Sequence, residues 1–383
     1  MKNTIHVVLI SAQAVPNISP ILDQRFRPDE VIMLVSEGMR RQANQLEQVY
    51  LSRGIKASHW PIDDAWDIEH IRRQVMTLVT DYKASNIVLN VTCGTKPMSI
   101  AAYEVFRQLE KPIFYVHQEK DHLIWMYPKD QPPVDLADQI NLNEYLQAYG
   151  ASHVKQGHKG DVLPLQRDLI NELVDNISTF SEVLSTLNYY ASNAKKNNLR
   201  SPTVEARDFK NHSFSQLVDL FEQAGFLSQK NAQLQFADEA SRFFVNGGWL
   251  EVYAYACCLE INQDIGLQDL ARSIEVNRRR GTQSVLNEMD VAFLKDNRLY
   301  SIECKTKHFR ASNIKHDEAS DVLYKLDSIR DLLGGMHARA MLVSFKPIKS
   351  HHKDRASELA IETCCYEELP FLQEKIATWL SPM

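Results

Sequence analysis

The 383-residue sequence predicts an α/β protein: an N-terminal Rossmann-like parallel sheet, a helical, winged-helix-like linker, and a C-terminal α/β unit. Three observations predict it. Apolar strand-like runs alternate with helix-like stretches from Ile5 to roughly Pro128. A proline-rich connector, PKDQPPVDLADQ, then interrupts the alternation. Far downstream, the apolar runs Val291–Leu294 and Leu299–Cys304 flank the turn-forming Lys295-Asp296-Asn297-Arg298 and read as one β-hairpin. The corresponding boundaries are 1–149, 150–245 and 246–383.

In the first segment the strands are Ile5–Ile10, Val31–Val35, Ile55–Trp60, Asn86–Val91, Pro112–His117 and His122–Met126. Helices Gly38–Arg53, Trp66–Lys83 and Pro97–Leu109 lie between most of them. Such a sheet takes ligands at the carboxyl ends of its strands. A dinucleotide is not expected, because strand one is followed by SAQAVPN rather than GxGxxG, and no GxxxxGK[ST] loop occurs. The favoured site is Asn90–Ser99, NVTCGTKPMS, where a buried strand ends and a helix starts with proline in its first turn. Backbone N–H groups there, with Thr92, Thr95, Lys96 and Ser99, make a cup suited to phosphate. Spacing alone equally fits a tight turn whose Thr and Ser only cap the helix.

The middle is less informative. Leu165–Tyr190 has helical spacing, and Ser213–Ala224, a glycine turn and the alternating Leu234-Gln235-Phe236 suggest a winged-helix module. Without a basic recognition helix it reads as a relay rather than a nucleic-acid reader.

The hairpin carries the chemistry. Centred between Asp296 and Asn297, it sets Asp290 opposite Glu303 on one face, and Lys305 shares that face by the period of two. Two carboxylates tolerate each other around a divalent cation, which can polarise a phosphodiester and acidify a bound water. The neighbouring ammonium would orient that water or neutralise charge on the phosphate.

Composition is compatible with nucleic acid as a partner without arguing for it. The net charge of -6 and pI near 6.1 provide no global attraction, so contacts must come from local basic residues. Arg278-Arg279-Arg280 before the hairpin, and Lys305, Lys307, His308, Arg310 and Lys315 after it, are the supply. None of the six cysteines forms a CxxC pair, which argues for reduced, buried thiols in a cytoplasmic protein. No segment reaches membrane-spanning length, so no membrane association is expected.

Two resemblances follow from these residues. Glu251 in the helix GGWLEVYAYACCLE, the hairpin with Asp290 and Glu303-Cys304-Lys305, the helix Glu318–Leu333 and the strand Ala338–Phe345 resemble, in that order, the PD-(D/E)XK nuclease superfamily. That resemblance implies a restriction-endonuclease-like fold in which Asp290, Glu303 and the Cys304 carbonyl ligate Mg²⁺ or Mn²⁺. Lys305 would help activate water, and Glu251 would be the helix-borne acid. NVTCGTKPMS resembles the signature loop of CARF domains, CRISPR-associated Rossmann folds that sense cyclic oligoadenylates. Their usual two glycines become Cys93 and Gly94 here. The resemblance implies that Ser11, Gln13, Asn17, Thr92, Gly94, Thr95, Lys96 and Ser99 face the ligand, held between two copies in a homodimer. Together the halves resemble the type III CRISPR ancillary nucleases, which implies cyclic tetra-adenylate as activator and DNA or RNA as substrate. The rival expectation is a ligand-responsive nucleic-acid-binding regulator on an inactive nuclease fold.

Overall fold

The computed structural model describes residues 3–155, 157–280, 283–307, 311–312, 316–335 and 337–381. The N-terminal unit runs β1 (Thr4–Leu9), α1 (Val15–Leu22), β2 (Glu30–Ser36), α2 (Arg40–Ser52), β3 (Lys56–Ile62), α3 (Ile68–Asp81), β4 (Asn86–Asn90), α4 (Lys96–Gln108), β5 (Ile113–His117), β6 (His122–Tyr127), β7 (Val134–Asp135) and α5 (Leu142–Ala148). The strand order is β3-β2-β1-β4-β5-β6-β7, parallel through β5 and antiparallel beyond it. Central β1 is buried from Ile5 to Leu9 because helices cover both of its faces. The chain reverses its winding direction between β1 and β4, which opens a crevice at the carboxyl ends of those two strands.

Helix α1 occupies a stretch whose SAQAVPN start reads as a loop. Pro16 sits in its first turn, where no N–H is needed, but Pro20 lies inside the helix. Every residue of α1 is buried, so packing overrides a poor local propensity.

The middle segment holds β8 (Ala151–Lys155), α6 (Pro164–Asp175), α7 (Ile177–Ala194), α8 (Ala206–Lys210), α9 (His212–Gln223), β9 (Leu227–Lys230), β10 (Gln233–Phe236) and α10 (Glu239–Phe243). The periodic stretch is thus two helices broken at Asn176, and α9 with the β9–β10 hairpin has the form of a winged helix. The C-terminal unit follows with α11 (Trp249–Ile265), β11 (Asp269–Arg280), β12 (Gln283–Lys295), β13 (Arg298–Lys305), the short pair β14 (Ala311–Ser312) and β15 (His316–Asp317), α12 (Glu318–Gly334), β16 (Arg339–Ser344), α13 (Ser350–Glu358), β17 (Ile361–Cys365) and α14 (Leu372–Leu380). Its six-stranded sheet has the order β17-β16-β13-β12-β11-β8. The edge strand β8 comes from the stretch that composition alone assigns to the linker.

Two apolar cores explain how the segments hold together. One runs from Leu169 and Leu184 of the middle helices to Trp249, Phe293, Phe345 and Ile376, so the middle packs as part of the C-terminal unit. The other joins Val8, Ile10 and Ile18 of the N-terminal unit to Ala292, Leu294, Leu299 and Leu333. The β12–β13 hairpin therefore has one face in each core. All six cysteines are free and buried, and no helix among the described residues is long and apolar enough to cross a membrane.

Candidate nuclease site and ligand cleft

Two residues, Asp296 and Asn297, turn the β12–β13 hairpin with φ of 48° and 53°. This left-handed pair matches the twist of the strands it joins. The register runs from Lys295↔Arg298 to Val291↔Ile302, and its next step sets Asp290 across from Glu303. Both carboxylates are almost fully buried, at 7% and 3% exposure.

Asp290 Oδ2 accepts the Cys304 backbone N–H at 2.6 Å. Lys305 Nζ donates to Glu303 Oε1 at 2.6 Å and to the Cys304 carbonyl at 3.2 Å, and lies 3.9 Å from Asp290 Oδ2. Burial, and then the charge of Glu303, push the Asp290 carboxyl upward. Burial alone would lower the Lys305 pKa, but Asp290 and Glu303 outweigh it and hold the ammonium above its ordinary value. Glu251 enters from the first turn of α11 and accepts the Ser273 hydroxyl at 3.2 Å. Burial, followed by the charge of Asp290, raises its pKa to about 8.

The ammonium of Lys305 thus rests against two carboxylates and one carbonyl, the three oxygens that the sequence resemblance assigns to a metal. These are hard donors of the kind Mg²⁺ and Mn²⁺ take, and a cation already rests among them, so the residues fit such an ion. Among the described residues no three His, Cys, Asp or Glu side chains are grouped to hold a metal by themselves.

Two further residues belong to the site, and sequence spacing did not reveal them. Lys325, on α12, donates to Glu303 Oε1 at 3.2 Å. Its signal was positional: α12 links β13 to β16 and must pass over the face that carries Glu303. Ser273 lies in β11 between Arg272, paired with Val291, and Ile274, paired with Met289, and so falls across from Asp290. Its φ of 54° breaks the ladder there and frees the hydroxyl for Glu251. Behind Lys305, Thr306 accepts the Asn188 amide of α7 at 3.1 Å. A Cβ at Gly247 would come within 2.2 Å of the Thr306 hydroxyl, which explains why the chain enters α11 through Gly247-Gly248.

The basic residues divide. Lys307 is exposed beside the site. Arg278 is half-buried, and its pKa is lowered by burial and then by the nearby Arg41. The side chains of Arg279 and Arg280 lie outside the described residues, as do His308, Arg310 and Lys315.

At the N-terminal crevice, loops from β1 and β4 meet through buried amides. Asn90 donates to the Pro16 carbonyl at 2.8 Å and to Asn17 Oδ1 at 3.1 Å, and Asn17 donates to the Leu9 carbonyl at 2.9 Å. Asn17 is fully buried and ties the loops together instead of facing the crevice. Thr92 donates to Asn90 Oδ1 at 2.6 Å and accepts the Val116 N–H of β5 at 2.8 Å. Thr95 caps α4 by accepting the Met98 N–H and donates to the Ala65 carbonyl. Ser99 donates back to the Thr95 and Lys96 carbonyls, and Ser11 accepts the Gln13 N–H. Lys96 stands exposed in the first turn of α4.

Gly94 has φ of 81°, and a Cβ there would sit 2.9 Å from Leu9 Cβ, so glycine is required at this position. Cys93, at the other family glycine position, is buried with its thiol toward the Gln13 carbonyl, and burial pushes its pKa up to about 11.

Comparison with known proteins agrees with this division. Residues 5–145 match the Card1 CARF domain and residues 237–382 match the Card1-like endonuclease domain. VC1899 from Vibrio cholerae is 31% identical and superposes with a TM-score of 0.90, covering 98% of this chain and 97% of its own. Can2 from Sulfobacillus thermosulfidooxidans, solved in complex with cyclic tetra-adenylate, is 25% identical with a TM-score of 0.80, covering 99% of each chain. A type III CRISPR defence DNA nuclease activated by cyclic oligoadenylate shares the fold at 16% identity and a TM-score of 0.56, over 90% of this chain and 45% of its own. No curated protein sequence matches the chain.

Proposed function

The chain belongs to the Card1 family, which joins a CARF domain to an endonuclease domain, and from that premise we propose a metal-dependent endonuclease switched on by cyclic tetra-adenylate. It would cut DNA or RNA in type III CRISPR defence. The observation that carries this reading is the convergence of Asp290, Glu303, the Cys304 carbonyl and Lys305 on one hairpin.

Asp290, Glu303 and the Cys304 carbonyl would hold Mg²⁺ or Mn²⁺, which when bound polarises the scissile phosphate and acidifies water. Lys305, kept fully charged by its carboxylate neighbours, supplies positive charge and a hydrogen bond to the phosphate rather than acting as a base. Glu251, with its carboxyl raised to about 8 and bonded to Ser273, holds a proton at neutral pH and is suited to donate it as the helix-borne acid of the site. Lys307 would position the nucleic-acid backbone.

In the sensor, Gly94 lets the ligand approach the backbone, Lys96 meets a phosphate, and Ser11, Gln13, Thr92, Thr95 and Ser99 shape the wall. A rotationally symmetric ligand calls for a second copy of the chain across a twofold axis. Trp66 and Ile100, 75% and 51% exposed and adjoining the Thr95–Ala65 contact and the first turn of α4, offer apolar surface for that partner.

The test is cleavage of labelled single-stranded DNA, plasmid DNA and RNA by purified protein with Mn²⁺, with and without cyclic tetra-adenylate. Cutting that needs both and disappears in Glu303→Ala supports the full reading. Cutting that ignores the ligand keeps the nuclease and removes the switch. Bound ligand without cutting favours a regulator.

A further inference from the structure

The tip of the catalytic hairpin is docked in the sensor. Asn297 is 1% exposed, and its amide donates to Asp121 Oδ2 at 2.7 Å and to the Ala137 carbonyl at 3.4 Å. Asp121, itself 3% exposed, closes the β5–β6 turn. Gln268 completes the clasp: its Oε1 accepts the Asn297 N–H at 2.6 Å, and its amide donates to Asn297 Oδ1 at 2.9 Å and to the Ile140 carbonyl at 3.2 Å. Next along the chain, Arg298 donates to the carbonyls of Gln118, at 3.1 Å, and Glu119. The turn needs a left-handed residue at position 297, which glycine would supply with less strain. Asparagine stands there instead, and its amide N–H groups reach the sensor while its Oδ1 is held by Gln268.

The other end of this contact leads to the ligand loop. The β5–β6 turn continues β5, and the Val116 N–H of β5 donates to Thr92 in NVTCGTKPMS. On the nuclease side, Glu303 is six residues from Asn297 along β13, about 20 Å of strand. That strand is central in its sheet and buried on both faces, so it moves as a stiff rod.

We propose that Asp121 is a positioning residue of the nuclease, which holds the catalytic hairpin through Asn297 and transmits the state of the ligand loop to Asp290 and Glu303. The inference rests on the ligand-activated reading above and names the contact that carries the activation. The quantity that reads this coupling is how strongly ligand stimulates cutting.

Asn297→Gly removes the amide yet leaves Asp-Gly, a favoured sequence for this turn, so the variant should fold. In the full-length protein with Mn²⁺, its cyclic tetra-adenylate Kd should stay within about twofold of wild type while the stimulation ratio falls at least about tenfold. Asp121→Asn keeps an oxygen acceptor for Asn297 and should retain the wild-type ratio, whereas Asp121→Leu should lose it. A purely structural role would lower Tm in Asn297→Gly and Asp121→Leu without changing the ratio. Wild-type stimulation in both of these variants overturns the proposal and leaves the ligand-activated reading intact. A wild-type protein that cuts but ignores the ligand overturns both.

Discussion

The two sites solve opposite physical problems. In the CARF crevice the hydroxyls of Thr92, Thr95 and Ser99 are neutral and already hydrogen-bonded, to Asn90, Ala65 and the Thr95 carbonyl, and Lys96 brings an exposed charge. At the hairpin, Asp290 and Glu303 are buried, half-buried Glu251 stands beside them, and Lys305 and the more exposed Lys325 both bond to Glu303. A preformed, satisfied wall costs little to keep and can wait for a ligand. Carboxylates forced together in low dielectric are held by counter-charge, and that tension makes them ready to bind a cation. The difference predicts that changes at the hairpin act on chemistry and changes at the crevice act on affinity.

The largest effect should come from Glu303→Ala or Asp290→Ala. Either should reduce Mn²⁺-dependent cleavage by about 10³-fold or more, while cyclic tetra-adenylate affinity stays within about twofold. Parallel cleavage and ligand-titration assays check it. Weakened ligand binding of similar size would break the comparison, because the two sites would then be one cooperative unit. Lys96→Ala should do the reverse and weaken ligand binding about 10–100-fold by loss of a charged hydrogen bond. Saturating ligand should restore its cleavage, and a kcat deficit at saturation would show that Lys96 takes part in transmission.

These expectations rest on residues that could be found without coordinates, and the reason is local. The pairing of Asp290 with Glu303 follows from a two-residue turn and the period of two, so a strand-like sequence with a recognisable turn fixes it. The parallel sheet was legible because its strands are buried on both faces and separated by periodic helices. What stayed hidden depends on long-range contact. Helix α1 forms around Pro20 only because it is buried, and Asn17 therefore faces inward. Strand β8 joins a sheet whose other strands begin more than a hundred residues later. Lys325, Ser273 and the Asn297–Asp121 contact are adjacent to the site or the sensor in space and unmarked in sequence.

Lys325 sharpens the comparison at a smaller scale. Its ammonium shares Glu303 Oε1 with Lys305 and is half exposed, so the pair contributes only about 0.2–1 kcal/mol. Lys325→Ala should therefore lower the Mn²⁺ concentration for half-maximal cleavage by about 1.5–5-fold at saturating ligand, as measured by metal titration. A rise instead would assign Lys325 to the substrate phosphate.

The smallest effect lies at the seam between the two sites and is read as stability against pH. Burial raises the Asp121 carboxyl to about 7; the Asn297 hydrogen bond opposes this, while Asp138, Asp296 and Asp135 add to it. The folded chain thus holds a proton on Asp121 that the unfolded chain releases near pH 4. Between about pH 4 and 7 the unfolded state binds fewer protons, so this group's contribution makes stability fall as pH rises. Asp121→Asn removes that titration and keeps the acceptor for Asn297. Its melting temperature should depend less steeply on pH across that window and exceed wild type by about 1–3 °C at pH 7.5. An unchanged slope would mean that Asp121 ionises freely in the folded protein, with solvent reaching the hairpin tip. The seam would then be a looser joint than its hydrogen bonds imply.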